Sequence, residues 1–240
     1  MTHIPTILTP AILAALTLAA CGQGEGTQAP AASEPVQQAA PAVNTVAPPA
    51  APPATQPAPA APAEEQASDD WRKYARPADV DRLGRLDAAW ARALQQVKKE
   101  GDEAQFAALG ALADPKVSLP RPHPAPGLYR CRTIKLGGLG LIAYPYFTCQ
   151  VELTPGGDLI LSKVNGSQRS SGLLYPGEGN RLVFLGAQAW GDTEAKAPEY
   201  GASPERDQIG VLDRIGEQRW RLAMPWPRVE SDLDLMEIVK

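Results

Sequence analysis

The first 71 residues lack basic side chains, because none of the 23 Lys and Arg residues of this 240-residue chain occurs before Arg72. Six of the 27 acids precede Trp71, so residues 71–240 carry a charge near +2 while the whole chain carries −4. Nucleic-acid-binding domains usually show a basic stripe and a pI above about 9. Because neither charge fits that class, we predict no nucleic-acid partner.

Histidine is also scarce, and of the 2 present only His123 lies outside the N-terminal region. No HExxH or CxxC motif and no His cluster occurs, so we predict no metal site and no cofactor. A Ser-His-Asp triad would have to combine His123 with Ser167, Ser170 or Ser171, and no GxSxG motif surrounds these serines. We therefore expect no enzyme activity, and a serine hydrolase remains only as an alternative.

Long apolar runs are missing apart from residues 4–20, a run too short to span a bilayer and placed like a secretory signal. It ends in residues 18–21 (LAAC), which resemble a bacterial lipoprotein box with Cys21 as the lipidated mature N-terminus. The first three residues lack Lys and Arg, which departs from that pattern, so an ordinary cleaved signal is the alternative. By resemblance to lipoprotein sorting in two-membrane bacteria, Gly22 in place of Asp implies an exported protein, anchored in the outer membrane and facing the periplasm.

Residues 22–70 have no aromatic side chain and consist mainly of Ala, Pro and Gln. Too few large apolar groups are present to offset the entropy of ordering, so we predict a disordered linker. Such composition favours extended polyproline segments, and full extension at about 3.1 Å per residue would reach roughly 150 Å. A spacer is the main interpretation, and a proline-rich ligand for a partner is the alternative.

Residues 71–126 are predicted to form a helical hairpin followed by a connector. Pro77 suits the first turn of a helix, and Gly101 suits its end. A second helix is predicted from Asp102 to Ala113, and residues 121–126 (RPHPAP) form a stiff connector. The apolar residues of the first helix recur at steps of three and four: Val80, Leu83, Leu86, Trp90, Leu94 and Val97.

Residues 127–240 change to an alternating pattern, which is typical of strands. Asn165-Gly166 is the strongest hairpin signal in the chain. The predicted strands are 127–136, 144–153, 159–164, 167–175, 181–189, 208–215 and 218–224, and 233–239 is a strand or a short helix. We predict an α+β fold, in which the helical hairpin packs on an antiparallel β-meander or partly closed barrel of about 7–8 strands.

The three cysteines divide into one lipidation site and one predicted disulfide between Cys131 and Cys149. Alternation places both on the apolar faces of adjacent strands, as a cross-strand bridge requires. The bridge would close a loop of 17 residues, which stabilises a fold by about 3 kcal/mol in an oxidising periplasm. Two free buried thiols are the alternative.

A ligand site, if present, is predicted at Arg132, Gln168, Arg169 and Trp226. Arginine offers a planar fork for carboxylate or phosphate, and tryptophan offers an amphipathic wall. In the alternative interpretation the arginines pair with Glu152 and Glu230 on a solvated face, while Trp226 fills one end of a barrel.

Several longer motifs resemble a bacterial family with a domain of unknown function, over roughly residues 71–240. The resemblance implies membership of that family and transfers no activity. The motifs are residues 71–72 (WR), 127–137 (GLYRCRTIKLG), 166–169 (GSQR), 184–187 (FLGA), 200–201 (YG), 207–208 (DQ), 219–222 (RWRL) and 225–231 (PWPRVES).

The function that these features favour is a non-enzymatic, lipid-anchored protein of the cell envelope. Its partners would be the membrane, through the anchor, and an unknown envelope protein or a small ligand at the β-domain. A periplasmic barrel that inhibits proteases is the main alternative, in which the N-terminal region enters a protease cleft.

Overall fold

A computed structural model describes residues 70–191 and 193–240, so the predicted signal peptide and all but the last residue of the predicted linker lie outside the described residues. Two short 3₁₀ helices and three α-helices precede the strands. No helix in this described part combines the length and the apolar character that a membrane span requires. The helical elements are the 3₁₀ turn Trp71–Lys73, α1 (Pro77–Gly84), α2 (Leu86–Glu100), α3 (Glu103–Ala107) and the 3₁₀ turn Gly110–Ala113.

Nine antiparallel strands follow, and eight of them close into a barrel. Each strand pairs with its neighbour in the order β2-β1-β3-β4-β5-β6-β7-β8-β9, and β9 also pairs with β1. The short β2 lies outside this ring and extends β1 as a hairpin. The strands are β1 (Gly127–Leu136), β2 (Leu141–Ala143), β3 (Phe147–Leu153), β4 (Leu159–Lys163), β5 (Gln168–Pro176), β6 (Arg181–Trp190), β7 (Asp207–Gly216), β8 (Arg219–Pro225) and β9 (Leu233–Val239).

The predicted barrel is confirmed, and it is closed rather than partly closed. The predicted disulfide is confirmed as well, because Cys131 on β1 is bonded to Cys149 on β3, with Cα atoms 5.7 Å apart. Both cysteine side chains are fully buried inside the barrel. The bridge therefore joins two neighbouring strands from within the core.

The predicted helical hairpin is wrong. The first helix breaks after Gly84, and the second shortens to α3 and a 3₁₀ turn. Val80 and Leu83 pack beside β6 and β7, whereas Trp90 and Val97 pack on the opposite side of the break against β1, β8 and β9. One straight helix cannot follow two faces of a curved barrel, and glycine lowers the cost of ending a helix there.

The barrel interior is an apolar core over most of its length, and a second and a third cluster lie between the outer strand faces and the helices. Arg221 on β8 faces outward beneath the helical layer, where its guanidinium pairs with Asp213 at 2.8 Å. The same guanidinium donates to the carbonyls of Ala111, Asp114 and Val117. It thereby fixes the chain that follows the helices to the barrel wall.

One end of the barrel, which we call the closed end, is covered by the connector. The Trp220 indole donates to the carbonyl of Pro122 at 2.8 Å, and the Tyr129 hydroxyl donates to the carbonyl of Ala125 at 2.6 Å. The two rings meet edge to face with centroids 5.7 Å apart. Any opening into the interior must therefore lie at the other end.

Candidate functional site

The other end of the barrel, which we call the mouth, holds a polar cavity of about 280 Å³. It lies where β4, β6 and β8 end and where β3, β5 and β9 begin. Met224 and Met236 form its apolar floor next to the core. The polar side chains that line this mouth cavity are Thr133, Tyr144, Lys163, Ser167, Gln168, Ser170, Gln188 and Glu230.

A pair of interior glycines allows β5 and β6 to come close below the cavity. Gly172 and Gly186 are register partners. A Cβ atom on Gly172 would lie 2.4 Å from the Cα of Gly186, and one on Gly186 would lie 2.5 Å from the ring of Phe184. The Phe184 ring can therefore fill the barrel interior at this level, because neither glycine carries a side chain.

Lys163 is the buried cation of the mouth cavity and is only 8% exposed. Its ammonium donates to the carbonyl of Gln168 at 2.7 Å and lies 4.1 Å from the centroid of the Phe147 ring. Burial, with a smaller contribution from Arg169, lowers the pKa of Lys163 to about 8. No carboxylate in the described part of the chain forms an ion pair with it, so its charge is not neutralised by a partner.

Gly166 makes room for this ammonium. Its φ of +86° suits the tight turn between β4 and β5, and a Cβ atom there would lie 2.9 Å from Phe147 and 3.0 Å from the Lys163 nitrogen. The Asn165-Gly166 signal thus serves both the hairpin and the position of the lysine.

A second charged group lies across the mouth. The Lys135 ammonium is 3.1 Å from Asp234 and 3.6 Å from Glu230. The Ser231 hydroxyl donates to the other oxygen of Asp234 at 2.5 Å. Burial raises the pKa of Asp234, and the neighbouring Lys135 opposes that effect. Unlike Lys163, Lys135 therefore has its carboxylate partners within the protein.

The loop between β8 and β9 has an unusual backbone where it borders the mouth. Trp226 and Glu230 have φ values of +49° and +73°, which non-glycine residues rarely adopt. The Glu230 carbonyl oxygen would lie 2.4 Å from a Cβ atom on Gly138 in the β1–β2 turn. Backbone strain of this kind collects at functional sites, where the surrounding structure maintains it.

The loop between β6 and β7 is fixed to the first helix by a buried hydrogen-bond network. The Tyr200 hydroxyl donates to Asp79 at 2.5 Å, and it accepts from the Arg76 amide at 2.9 Å. Asp207 accepts from the amide of Gly201 at 2.9 Å. Burial, together with Asp79, raises the pKa of Tyr200, so this hydroxyl stays protonated as the donor. One side of the mouth is thus preformed.

Of the four predicted ligand residues, only Gln168 lines the mouth cavity. Arg169 points out of the barrel and donates to the carbonyls of Gly166, Gly191 and Glu194. It therefore holds two loops at the mouth together and does not face the cavity.

Arg132 and Trp226 also lie outside the barrel interior. Arg132 forms an ion pair with Glu237 at 2.6 Å and lies 4.9 Å from the Tyr146 ring. The Trp226 indole donates to the carbonyl of Arg85 at 3.2 Å, at the break between α1 and α2. The structure thus does not bring Arg132, Arg169 and Trp226 together with Gln168. The expected pairing with Glu152 and the expected filling of a barrel end by Trp226 are not observed either.

The residues proposed for a serine hydrolase lie at opposite ends of the barrel. Ser167 and Ser170 line the mouth cavity, whereas His123 is exposed in the connector over the closed end. Trp220 and Met224, which mark these two levels on β8, are four residues apart. That spacing corresponds to about 13 Å along a strand. The described residues also contain no group of three or more His, Cys, Asp or Glu side chains placed to hold a metal.

The sequence patterns did not identify three residues that line the mouth cavity, namely Lys163, Gln188 and Glu230. A signal existed for Lys163, because it continues the inward phase of Leu159 and Leu161 on β4. A charged side chain at an inward position is unusual and can therefore mark a site. Glu230 lies in a loop, and no periodicity could have placed it beside the cavity.

A larger recess of about 360 Å³ lies on the outside, between α1 and the β5–β6 turn. Its arginines already have partners, since Arg72 pairs with Glu178 and Arg181 pairs with Asp213, both at 2.8 Å. We select the mouth cavity as the candidate site because it contains the unpaired buried cation.

The geometry defines a class of protein: an eight-stranded antiparallel barrel, stapled by a disulfide, closed at one end and carrying a polar cavity at the other. The chain belongs to the family described as domain of unknown function DUF4893, whose sequence profile matches residues 71–238. The predicted family membership is thereby confirmed. No curated protein and no solved structure matches the chain.

Proposed function

We propose that this protein is a non-enzymatic binding protein of the cell envelope, which holds a small polar ligand in the mouth cavity. The observation that carries the proposal is the buried, unpaired ammonium of Lys163 in a cavity lined by amides and hydroxyls. A buried charge without a partner is costly, and a ligand that supplies the partner would offset that cost. Small ligands are typically held in the mouths of barrels of this size.

The anchor is part of the same proposal. The sequence of residues 18–21 favours lipidation at Cys21 and attachment to the outer membrane, facing the periplasm. These residues lie outside the described residues. The disulfide between Cys131 and Cys149 supports an oxidising compartment. Incorporation of a labelled fatty acid into the wild-type chain, and its loss in Cys21→Ala, would test the anchor. Equal labelling of both chains would contradict it.

A binding experiment tests the ligand site. Thermal shifts of the full chain would be measured with a panel of sugars, polyols, amino acids and organic acids. Ser170 is buried beside the cavity, so Ser170→Phe should fill the space and abolish any shift. Ser171→Phe, one residue along on the outward face of the same strand, is the matched control. Shifts that persist in a folded Ser170→Phe variant would contradict the proposal.

A partner protein at the mouth is a second candidate, because apolar side chains are exposed around it. Leu139 is 76% exposed in the β1–β2 turn, and Val164 and Val229 are each 45% exposed in two further loops at this end. Exposed apolar side chains that join into a contiguous patch are typical of protein interaction sites. Pull-down with Leu139→Ser should then recover less partner than the wild-type chain. The predicted protease inhibition stays a prediction.

A further inference from the structure

We propose that the mouth cavity selects a small monocarboxylate that carries hydroxyl groups, with Lys163 as the residue that binds the carboxylate. This inference rests on the proposed function, since it names the chemistry of the ligand for the same cavity. Three properties of the cavity carry it: one attractive charge, several neutral hydrogen-bonding groups and one repulsive charge.

The attractive charge is the Lys163 ammonium. An ammonium has three N–H donors, and the Gln168 carbonyl occupies one of them. The Phe147 ring and Gly166 enclose the amine, so it is held in one position before any ligand arrives. A ligand carboxylate would accept a charge-assisted hydrogen bond there, which is about twice as strong as a neutral one.

The neutral groups favour hydroxyls on the ligand. Ser170 is 4% exposed and lines the cavity together with Thr133. The Gln188 side-chain oxygen accepts from the Trp190 indole at 2.9 Å, which leaves its NH₂ group free to donate. A hydroxyl group both donates and accepts hydrogen bonds. A hydroxyl on the ligand can therefore accept from the Gln188 NH₂ group, and it can either donate to or accept from the hydroxyls of Ser170 and Thr133.

The repulsive charge is Glu230. It belongs to the β8–β9 loop, which lies almost opposite β4 in the ring of eight strands. Glu230 shares the Lys135 ammonium with Asp234, which lies nearer to it, and the Glu230 side chain is 43% exposed at the mouth. A second carboxylate on the ligand would face Glu230 across the mouth. Specificity commonly uses such repulsion against the wrong ligand.

Three sugar derivatives with the same six-carbon hydroxylated chain separate these effects. Gluconate has one carboxylate, sorbitol has none, and glucarate has two. Titration calorimetry of the full chain near neutral pH should show the tightest binding for gluconate. Sorbitol should bind about tenfold more weakly or worse, as the loss of one charge-assisted bond predicts. Glucarate keeps that bond but should also bind more weakly than gluconate, because its second carboxylate is repelled by Glu230.

Variants assign the preference to residues. Lys163→Met should bind gluconate and sorbitol equally, while Lys163→Arg should retain the preference for gluconate. Glu230→Gln should raise the affinity for glucarate without changing that for sorbitol. Lys196→Met is the control for general attraction, because Lys196 is exposed in the β6–β7 loop at the same end.

The results separate failure of this inference from failure of the proposed function. Sorbitol binding as tightly as gluconate, or an equal loss of preference in Lys196→Met, would overturn the carboxylate assignment while the cavity remains a ligand site. If none of the three compounds binds, the assignment is also overturned. The thermal-shift panel with Ser170→Phe then decides on its own whether the cavity binds any ligand.

Discussion

Lys163 shows how burial changes a single side chain at the residue scale. Its pKa falls from 10.5 to about 8, and the charged group that contributes is Arg169 on β5. Phe147 from β3 and the Gln168 carbonyl also contact the amine, and Glu230 shares its cavity. The folded chain therefore binds fewer protons than the unfolded chain between these two pH values.

Stability should respond to pH through this lysine. Because the unfolded state binds more protons between pH about 8 and 10.5, the free energy of unfolding rises with pH over that range. Lys163→Met should lack this rise. Urea unfolding of both chains across that range measures the difference, and parallel pH profiles would show that Lys163 keeps an ordinary pKa.

Gluconate affinity should fall over the same range as the ammonium deprotonates.

The disulfide sets a prediction at the scale of elements, because it joins β1 to β3 inside the barrel. Replacement of both Cys131 and Cys149 by Ala should lower the free energy of unfolding by about 3 kcal/mol, as expected for a loop of this length. The measurement is urea denaturation with and without reductant. Because both sulfurs are fully buried, reductant should break the disulfide of the wild-type chain only once that chain has unfolded. An unchanged midpoint in the double variant would contradict the prediction.

A charged cluster on the outer face joins the strands that close the barrel. Glu237 on β9 contacts Arg132 on β1 at 2.6 Å and Arg219 on β8 at 2.5 Å, and it accepts from the Tyr146 hydroxyl at 2.8 Å. Burial raises the pKa of Glu237, but the bonds to Arg132, Tyr146 and Arg219 outweigh it, so the net pKa is lowered.

Glu237→Gln should destabilise the fold by about 1–3 kcal/mol, because two partly buried guanidinium groups lose their anion. A lowered carboxyl pKa contributes stability above the unfolded value of 4.5, and this contribution is lost as the pH falls below it. The wild-type chain should therefore lose more stability than Glu237→Gln on acidification. Glu152→Gln, an exposed position on β3, is the matched control and should change little.

The helical layer and the barrel should unfold as one unit at the scale of the whole molecule. The apolar cluster between them contains residues of both, including Trp90 and Leu112 from the helical part and Ile134 and Leu235 from the barrel. Arg221 adds a buried polar connection. Far-ultraviolet circular dichroism and tryptophan fluorescence should give the same unfolding midpoint, and two separate transitions would contradict a single unit.

Leu112→Ala tests the same coupling. Leu112 is fully buried, and truncation of such a leucine costs about 2–5 kcal/mol. If the unit is single, both spectroscopic midpoints should shift together. Leu128→Ala is the control, since Leu128 is 64% exposed on the outside of β1 and should alter neither midpoint.

The strands were predictable because alternation and tight turns are local. The third predicted strand ends one residue after the observed β4, and the predicted 181–189 nearly equals Arg181–Trp190. The short β2 was missed, since three residues are too few to show a period. The helix break after Gly84 was also missed, because the same apolar spacing continues across it while the two halves face different parts of the barrel.

The candidate site was less predictable than the strands. Gln168, one of the four predicted ligand residues, lines the mouth cavity. Arg132 and Arg169 were chosen for the chemistry of arginine, although alternation places both on outward faces. Lys163 occupies an inward position and was passed over. Whether a residue faces inward or outward along its strand was therefore a better guide to the residues of this cavity than the chemical type of its side chain.

The sequence by itself determined the strands other than β2 and β9, the tight turns, the pairing of Cys131 with Cys149 and the family. Each of these depends on residues that are near one another in the chain or on motifs read directly. Only the tertiary structure decided that β9 pairs with β1, and that Lys163 and Glu230 face one cavity. The physical reason is that ring closure joins strands from opposite ends of the domain through backbone hydrogen bonds, which leave no periodic trace in the side chains.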